Sequence, residues 1–150
     1  MTVKNEPNLG INYGWDLGES GFNLQMDENL KAFGALIQIA VISTTIGTPP
    51  GSPTLGDRYL IPAGATGVWA GNDGKIARYI DAAWELYTPK SGWIVQAQDT
   101  FQLWHYNGSN WALYYSRFTK YADDTAAAAG SVPVDGFYVA TTGELRVRLT

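Results

Sequence analysis

The sequence predicts a mainly β protein. The expected core is a small antiparallel meander or barrel of hairpins, with one amphipathic helix near the N-terminus and a short helix plus hairpin at the C-terminus. Three observations predict it. The stretch from Asp57 to Tyr115 holds 12 of the 20 aromatic residues. Within it Tyr79, Trp84, Leu86 and Tyr87 recur as Tyr106, Trp111, Leu113 and Tyr114, each shifted by 27 positions. In both copies four residues of turn character separate the Tyr from the Trp, which reads as strand, tight turn, strand. Finally, 17 Gly and 7 Pro in 150 residues punctuate the chain into short segments.

Residues 1–22 are rich in Asn and Gly, yet Leu9, Ile11, Tyr13, Trp15 and Leu17 alternate with polar or small residues and Phe22 follows. Period 2 with large apolar side chains is not the composition of a disordered tail. These six residues mark an extended docking arm. It either packs on its own domain or reaches a neighbouring subunit or larger assembly.

Residues 23–36 predict the best helix. Asn23 or Ser20 can cap it, and Asp27 and Glu28 lie near its positive end. Met26, Leu30, Phe33 and Ile37 fall at helical spacing and form the expected packing stripe, toward a sheet or toward copies of itself. Gly34 weakens the helix near its end. A β-branched strand follows at 37–43, completing a helix-and-strand unit over 23–43. Three prolines within 49–53 then make a stiff loop or linker, the one internal boundary.

The aromatic β domain is placed at 54–118. Strands are expected at 57–61, 75–80, 84–87, 93–96, 101–106 and 111–115, joined by turns at Asn72-Asp73-Gly74, Pro89 to Gly92 and Asn107-Gly108. The last unit, 119–150, begins with a short helix capped by Asp123 or Asp124 and ended by Gly130. It finishes in a hairpin whose final strand alternates, with Leu145, Val147 and Leu149 turned inward.

Composition narrows function. The net charge of -4 and scattered Lys and Arg argue against nucleic-acid binding. Zero Cys and a single histidine, His105, remove the usual zinc ligands and Ser-His machinery. Asp57, Asp73, Asp81, Glu85 and Asp99 fall at turns or strand edges, not in an evident glycosidase cleft. The expectation is therefore no catalytic residue, no metal and no cofactor. No apolar run is long enough to span a bilayer and the N-terminus lacks a signal-peptide core, so a protein made in the cytoplasm without membrane insertion is expected. Charged residues are sparse at 16%, which leaves neutral surface of the kind partners cover. The aromatics have three readings: a packed core, a subunit interface, or a glycan surface made by Trp69, Trp84, Trp104 and Trp111.

Several motifs in order carry a family resemblance. They include Asn8 to Trp15, Gly18 to Asn23, Met26 to Leu30, Pro49 to Pro53, Gly56 to Tyr59, Gly64 to Gly71, Gly74 to Ala77, Pro89 to Trp93, and Tyr106-Asn107-Gly108 with Trp111. Over residues 5–115 the chain resembles an uncharacterised domain family common in tail-associated proteins of tailed bacteriophages and prophages. Residues 122–149 resemble a short C-terminal module of phage tail proteins. The resemblance implies a structural virion component of the tail, a short tail-fibre or fibre-adaptor subunit attached to the tail or baseplate. By analogy with tail fibres it implies a homotrimer partnered by other tail, baseplate or fibre proteins. The alternative is a receptor-binding module that attaches to host surface polysaccharide through exposed Trp and Tyr.

Overall fold

The computed structural model describes residues 3–16, 18 and 20–150, with the side chains of all of these but 116 and 117. Among them the chain is mainly β, built as four small sheets with two α-helices, and no sheet closes into a barrel. The barrel alternative is thereby set aside: the strands are two to five residues long, too short for the tilt and stagger that closure needs.

The chain opens with β1 (Lys4–Asn5) and β2 (Asn12–Tyr13), an antiparallel pair. Helix α1 runs Phe22–Leu36, and β3 (Ala40–Val41) follows. The aromatic block forms two three-stranded antiparallel meanders. The first is β4 (Arg58–Leu60), β5 (Ile76–Ile80) and β6 (Ala83–Tyr87). The second is β7 (Ile94–Ala97), β8 (Leu103–Tyr106) and β9 (Trp111–Leu113), extended by β3, which pairs parallel with β7. The two sheets are joined through the end of β3, where Ile42 N–H donates to Arg58 O at 2.7 Å and Leu60 N–H to Ser43 O at 3.1 Å.

The echo of 27 residues is geometric as well as sequential. Tyr79 faces Trp84 and Tyr106 faces Trp111 across their hairpins. The ring centroids are 5.2 Å and 5.3 Å apart, both at 55°. The first hairpin turns through Asp81 and Ala82, both at positive φ (50° and 60°), the primed turn that matches strand twist. Ala82 tolerates a conformation normally given to Gly or Asn at some cost.

The first meander has two working faces. Leu60, Ile76 and Tyr87 stand opposite one another and face a core completed by Ala35 and Leu36 of α1, Val41, Trp93, Val95 and Ala97. Tyr59, Ala77 and Leu86 lie on the other face, covered by the loop that carries Ile61, Ala65 and Trp69.

The C-terminal unit is a small βαβ with a hairpin. β10 (Lys120–Tyr121) pairs parallel with β11 (Phe137–Ala140), α2 (Asp124–Ala129) makes the crossover, and β12 (Leu145–Val147) pairs antiparallel with β11. Asp123 caps α2, accepting from Ala126 N–H at 2.8 Å. The Asp124 carboxylate accepts from Tyr138 O–H at 2.7 Å and Leu149 N–H at 2.9 Å, tying helix, central strand and C-terminus together. The final strand differs from expectation. Leu145, Val147 and Leu149 do fall at alternate positions, but no layer covers them and all three are exposed, with Val134 and Phe137 beside them.

Candidate functional site

Two regions gather the residues that the sequence singles out: the arm with α1, and the aromatic hairpins.

The arm folds back along α1. Asn29, on the buried face of the helix, makes a reciprocal amide pair with the arm backbone: Asn12 N–H donates to Asn29 Oδ1 at 2.8 Å, and Asn29 Nδ2 donates to Asn12 O at 2.7 Å. Trp93 Nε1–H donates to Asn8 Oδ1 at 2.7 Å. The Glu6 carboxylate tightens the bend by accepting from Asn8 and Leu9 N–H. Leu9 packs on the main core, and Trp15 meets Phe22 edge-on at 5.1 Å while donating to Gln25 Oε1. Ile11 is half-buried; Tyr13 and Phe22 keep large exposed areas. Leu17 lies outside the described residues.

Helix α1 is held from the first meander by a guanidinium pair. Arg58 and Arg78 stand opposite each other on β4 and β5. Arg58 donates to Ala35 O at 3.1 Å and Arg78 to Lys31 O at 2.7 Å. Ala35 O is one of the last carbonyls of the helix, which carry its partial negative charge, so the Arg58 cation there is favourable by about 0.3–1 kcal/mol. Burial, and then the neighbouring Arg78 charge, push the Arg58 guanidinium below its ordinary value. Lys31 closes the network toward Asp81 at 3.0 Å and Glu28 at 3.2 Å, and these two carboxylates raise its ammonium above the ordinary range. Tyr87 donates to Glu85 at 2.7 Å, and burial followed by that bond raises its phenol.

These contacts decide which helix face meets the body. The covered face is Asn29, Ala32, Ala35 and Leu36. Small side chains let the sheet approach closely. Of the expected stripe, Met26, Leu30 and Phe33 lie roughly 100° further round the helix, while Ile37 falls just past its end as the C-cap, in extended backbone. Met26 and Phe33 are half-buried, whereas Leu30 and Ile37 are each 58% exposed. α1 thus carries two apolar faces, one used within the chain and one open.

The four tryptophans separate in the structure. Trp69 is wholly buried, packed against a tilted Tyr59 ring at 5.3 Å and edge-on to Trp84 at 5.0 Å. Trp84 is half-buried in that cluster and also packs on Tyr79. Trp104 and Trp111, with Tyr106, line a cleft between the two meanders, reached also by Asp73, Lys75 and Asn110. His105 is buried beside the Tyr114 ring, its Nδ1 without a hydrogen bond. Among the described residues no group of three acids or histidines is placed to hold a metal ion, and no helix is long and apolar enough to cross a membrane.

Sequence reasoning missed Asn8, Asn29, Arg58 and Arg78, and saw Asp124 only as a candidate helix cap. Asn29 did leave a signal, since it shares helical spacing with Ala32 and Leu36. The others act through partners far away in the chain, which no local pattern encodes.

A family model described as a protein of unknown function, DUF2793, matches residues 26–112. The match runs from within α1 to within β9, covering most of the helix and nearly all of both meanders, and leaves out the arm and the C-terminal βαβ unit. No curated protein matches the chain.

Proposed function

We propose that this chain, which belongs to the DUF2793 family, is a structural subunit of a bacteriophage tail: a short tail fibre or fibre adaptor. On this reading it assembles as a homotrimer, sits in the virion tail, docks on other tail, baseplate or fibre proteins, and carries out no chemistry of its own. The motif resemblance over residues 5–115 supports the phage assignment. The observation that carries the assembly reading is the open stripe of α1. Large apolar residues at i, i+4, i+7 and i+11 are the pattern of a seam between helices. A single chain gains nothing from leaving Leu30 and Ile37 in water. Three copies of α1 around an axis would bury them. Tyr13 and Phe22, exposed on the arm, would extend the same interface.

The test is the double variant Leu30→Gln, Ile37→Gln. Both side chains already face solvent, so the monomer should lose no more than roughly 0.5 kcal/mol of stability. The expected outcome is a folded chain that fails to trimerise and is lost from phage particles. Normal incorporation of the folded variant would sink the reading.

A further inference from the structure

We infer that the cleft between the two meanders is a binding site for a neutral saccharide. It has a volume of about 480 Å³, within the span of small-ligand sites. A sugar ring has an apolar C–H face and a rim of hydroxyls, and the cleft offers a counterpart to each. Trp104, Tyr106 and Trp111 supply half-buried aromatic surface. Two of them are fixed before any ligand arrives: Trp111 Nε1–H donates to Gly74 O at 2.7 Å, and the Tyr106 ring packs against Trp111. Such preorganisation lowers the ordering cost of binding.

The polar rim is Asp73, Lys75 and Asn110. Asp73 Oδ2 accepts from Gly64 N–H at 3.2 Å, and its other carboxylate oxygen retains acceptor capacity. Lys75 Nζ is steadied by Asn72 Oδ1 at 2.9 Å and has further protons to give. One acid and one base cancel, so the lining favours neither an anion nor a cation and suits a ligand that both donates and accepts. Trp104, whose ring lines the cleft, keeps its indole N–H buried with no acceptor among the described residues. The inference is independent of the tail reading, since a saccharide site can sit on any scaffold.

The test is titration of the intact chain with maltotriose, N,N′-diacetylchitobiose and lactose to about 20 mM, above the millimolar range of weak sites. Tryptophan fluorescence and amide NMR shifts are followed. At least one sugar should give saturable changes centred on Gly74, Lys75 and Ser109 to Trp111. Trp104→Ala should weaken binding by about tenfold or more, and Trp84→Phe, in the other aromatic cluster, should leave it unchanged. If Trp104→Ala fails to fold, Lys75→Ala and Asn110→Ala at the rim make the same comparison. Absence of saturable change with all three sugars overturns the inference. So does a proline-rich decapeptide that saturates these residues while the sugars do not, because aromatic grooves also take extended proline segments.

Discussion

Gly34→Ala should reveal how α1 is held. Replacing Gly by Ala inside a helix ordinarily stabilises it by up to about 1 kcal/mol. Here the new methyl carbon would sit 3.2 Å and 3.3 Å from the two terminal nitrogens of Arg78. That guanidinium cannot simply swing away, because it donates to Lys31 O at 2.7 Å. A charged hydrogen bond of this kind contributes about 1.5–3 kcal/mol. Losing half of it cancels the gain in helix propensity. Gly34→Ala should therefore be neutral, or destabilising by up to about 1 kcal/mol, in the natural chain. In an Arg78→Ala background, where the collision is gone, it should stabilise by the full propensity term. Urea denaturation of the four proteins, followed by tryptophan fluorescence, gives the coupling energy directly. Equal stabilisation by Gly34→Ala in both backgrounds would refute the clamp.

Three further outcomes follow from particular contacts. Asn29→Ala removes both bonds to Asn12 and should cost about 1–3 kcal/mol; limited proteolysis should then cut within residues 1–20, and an uncut arm would contradict the pairing. Phe101 has a φ of 55° and is 82% exposed, so Phe101→Gly should stabilise by about 1 kcal/mol through relief of left-handed strain. A clear loss of stability would show that the ring is held by contacts instead. The Asp124 carboxyl is held below its ordinary value, chiefly by the Leu149 N–H and then by the Tyr138 hydroxyl. A depressed acid contributes stability above its unfolded value, near about 4, and the contribution is lost as pH falls through the lower folded value. Protection of the Leu149 amide against exchange, relative to its intrinsic rate at each pH, should fall as pH drops below about 4, and Asp124→Asn should abolish that pH dependence.

Local chemistry made much of the fold legible. Tyr, a four-residue turn and Trp predicted both hairpins, because cross-strand pairing fixes register over a few residues. The extent of α1 was legible from its apolar spacing, but its cap was not: Gly21, in left-handed backbone, stands at the N-cap with no side-chain hydrogen bond, in place of Asn23 or Ser20, whereas Asp123 as the cap of α2 was readable from helix-end chemistry. Long-range packing was not. Trp69, in a Gly-rich loop, resembles an exposed platform in sequence, yet the loop folds it wholly onto the outer face of the first meander. The helix stripe was legible as a stripe, but periodicity cannot say which of two apolar faces the sheet will take. Close approach selected Ala32 and Ala35 over Leu30 and Ile37. Leu145 and Val147 pose the same problem in a strand: their alternation was correct, but the expected inward face is left exposed among the described residues. The cleft was half legible, since Trp104 and Trp111 stood out by residue type while Asp73 and Lys75 reach it only through the meeting of the two meanders.

The central claim is that the open face of α1 is a seam between copies. Its most direct test is the solution mass of the natural chain by multi-angle light scattering across a range of concentrations. The account predicts three copies of the 16.3 kDa chain, collapsing to one in Leu30→Gln, Ile37→Gln. A natural chain that remains a monomer at every concentration would contradict it.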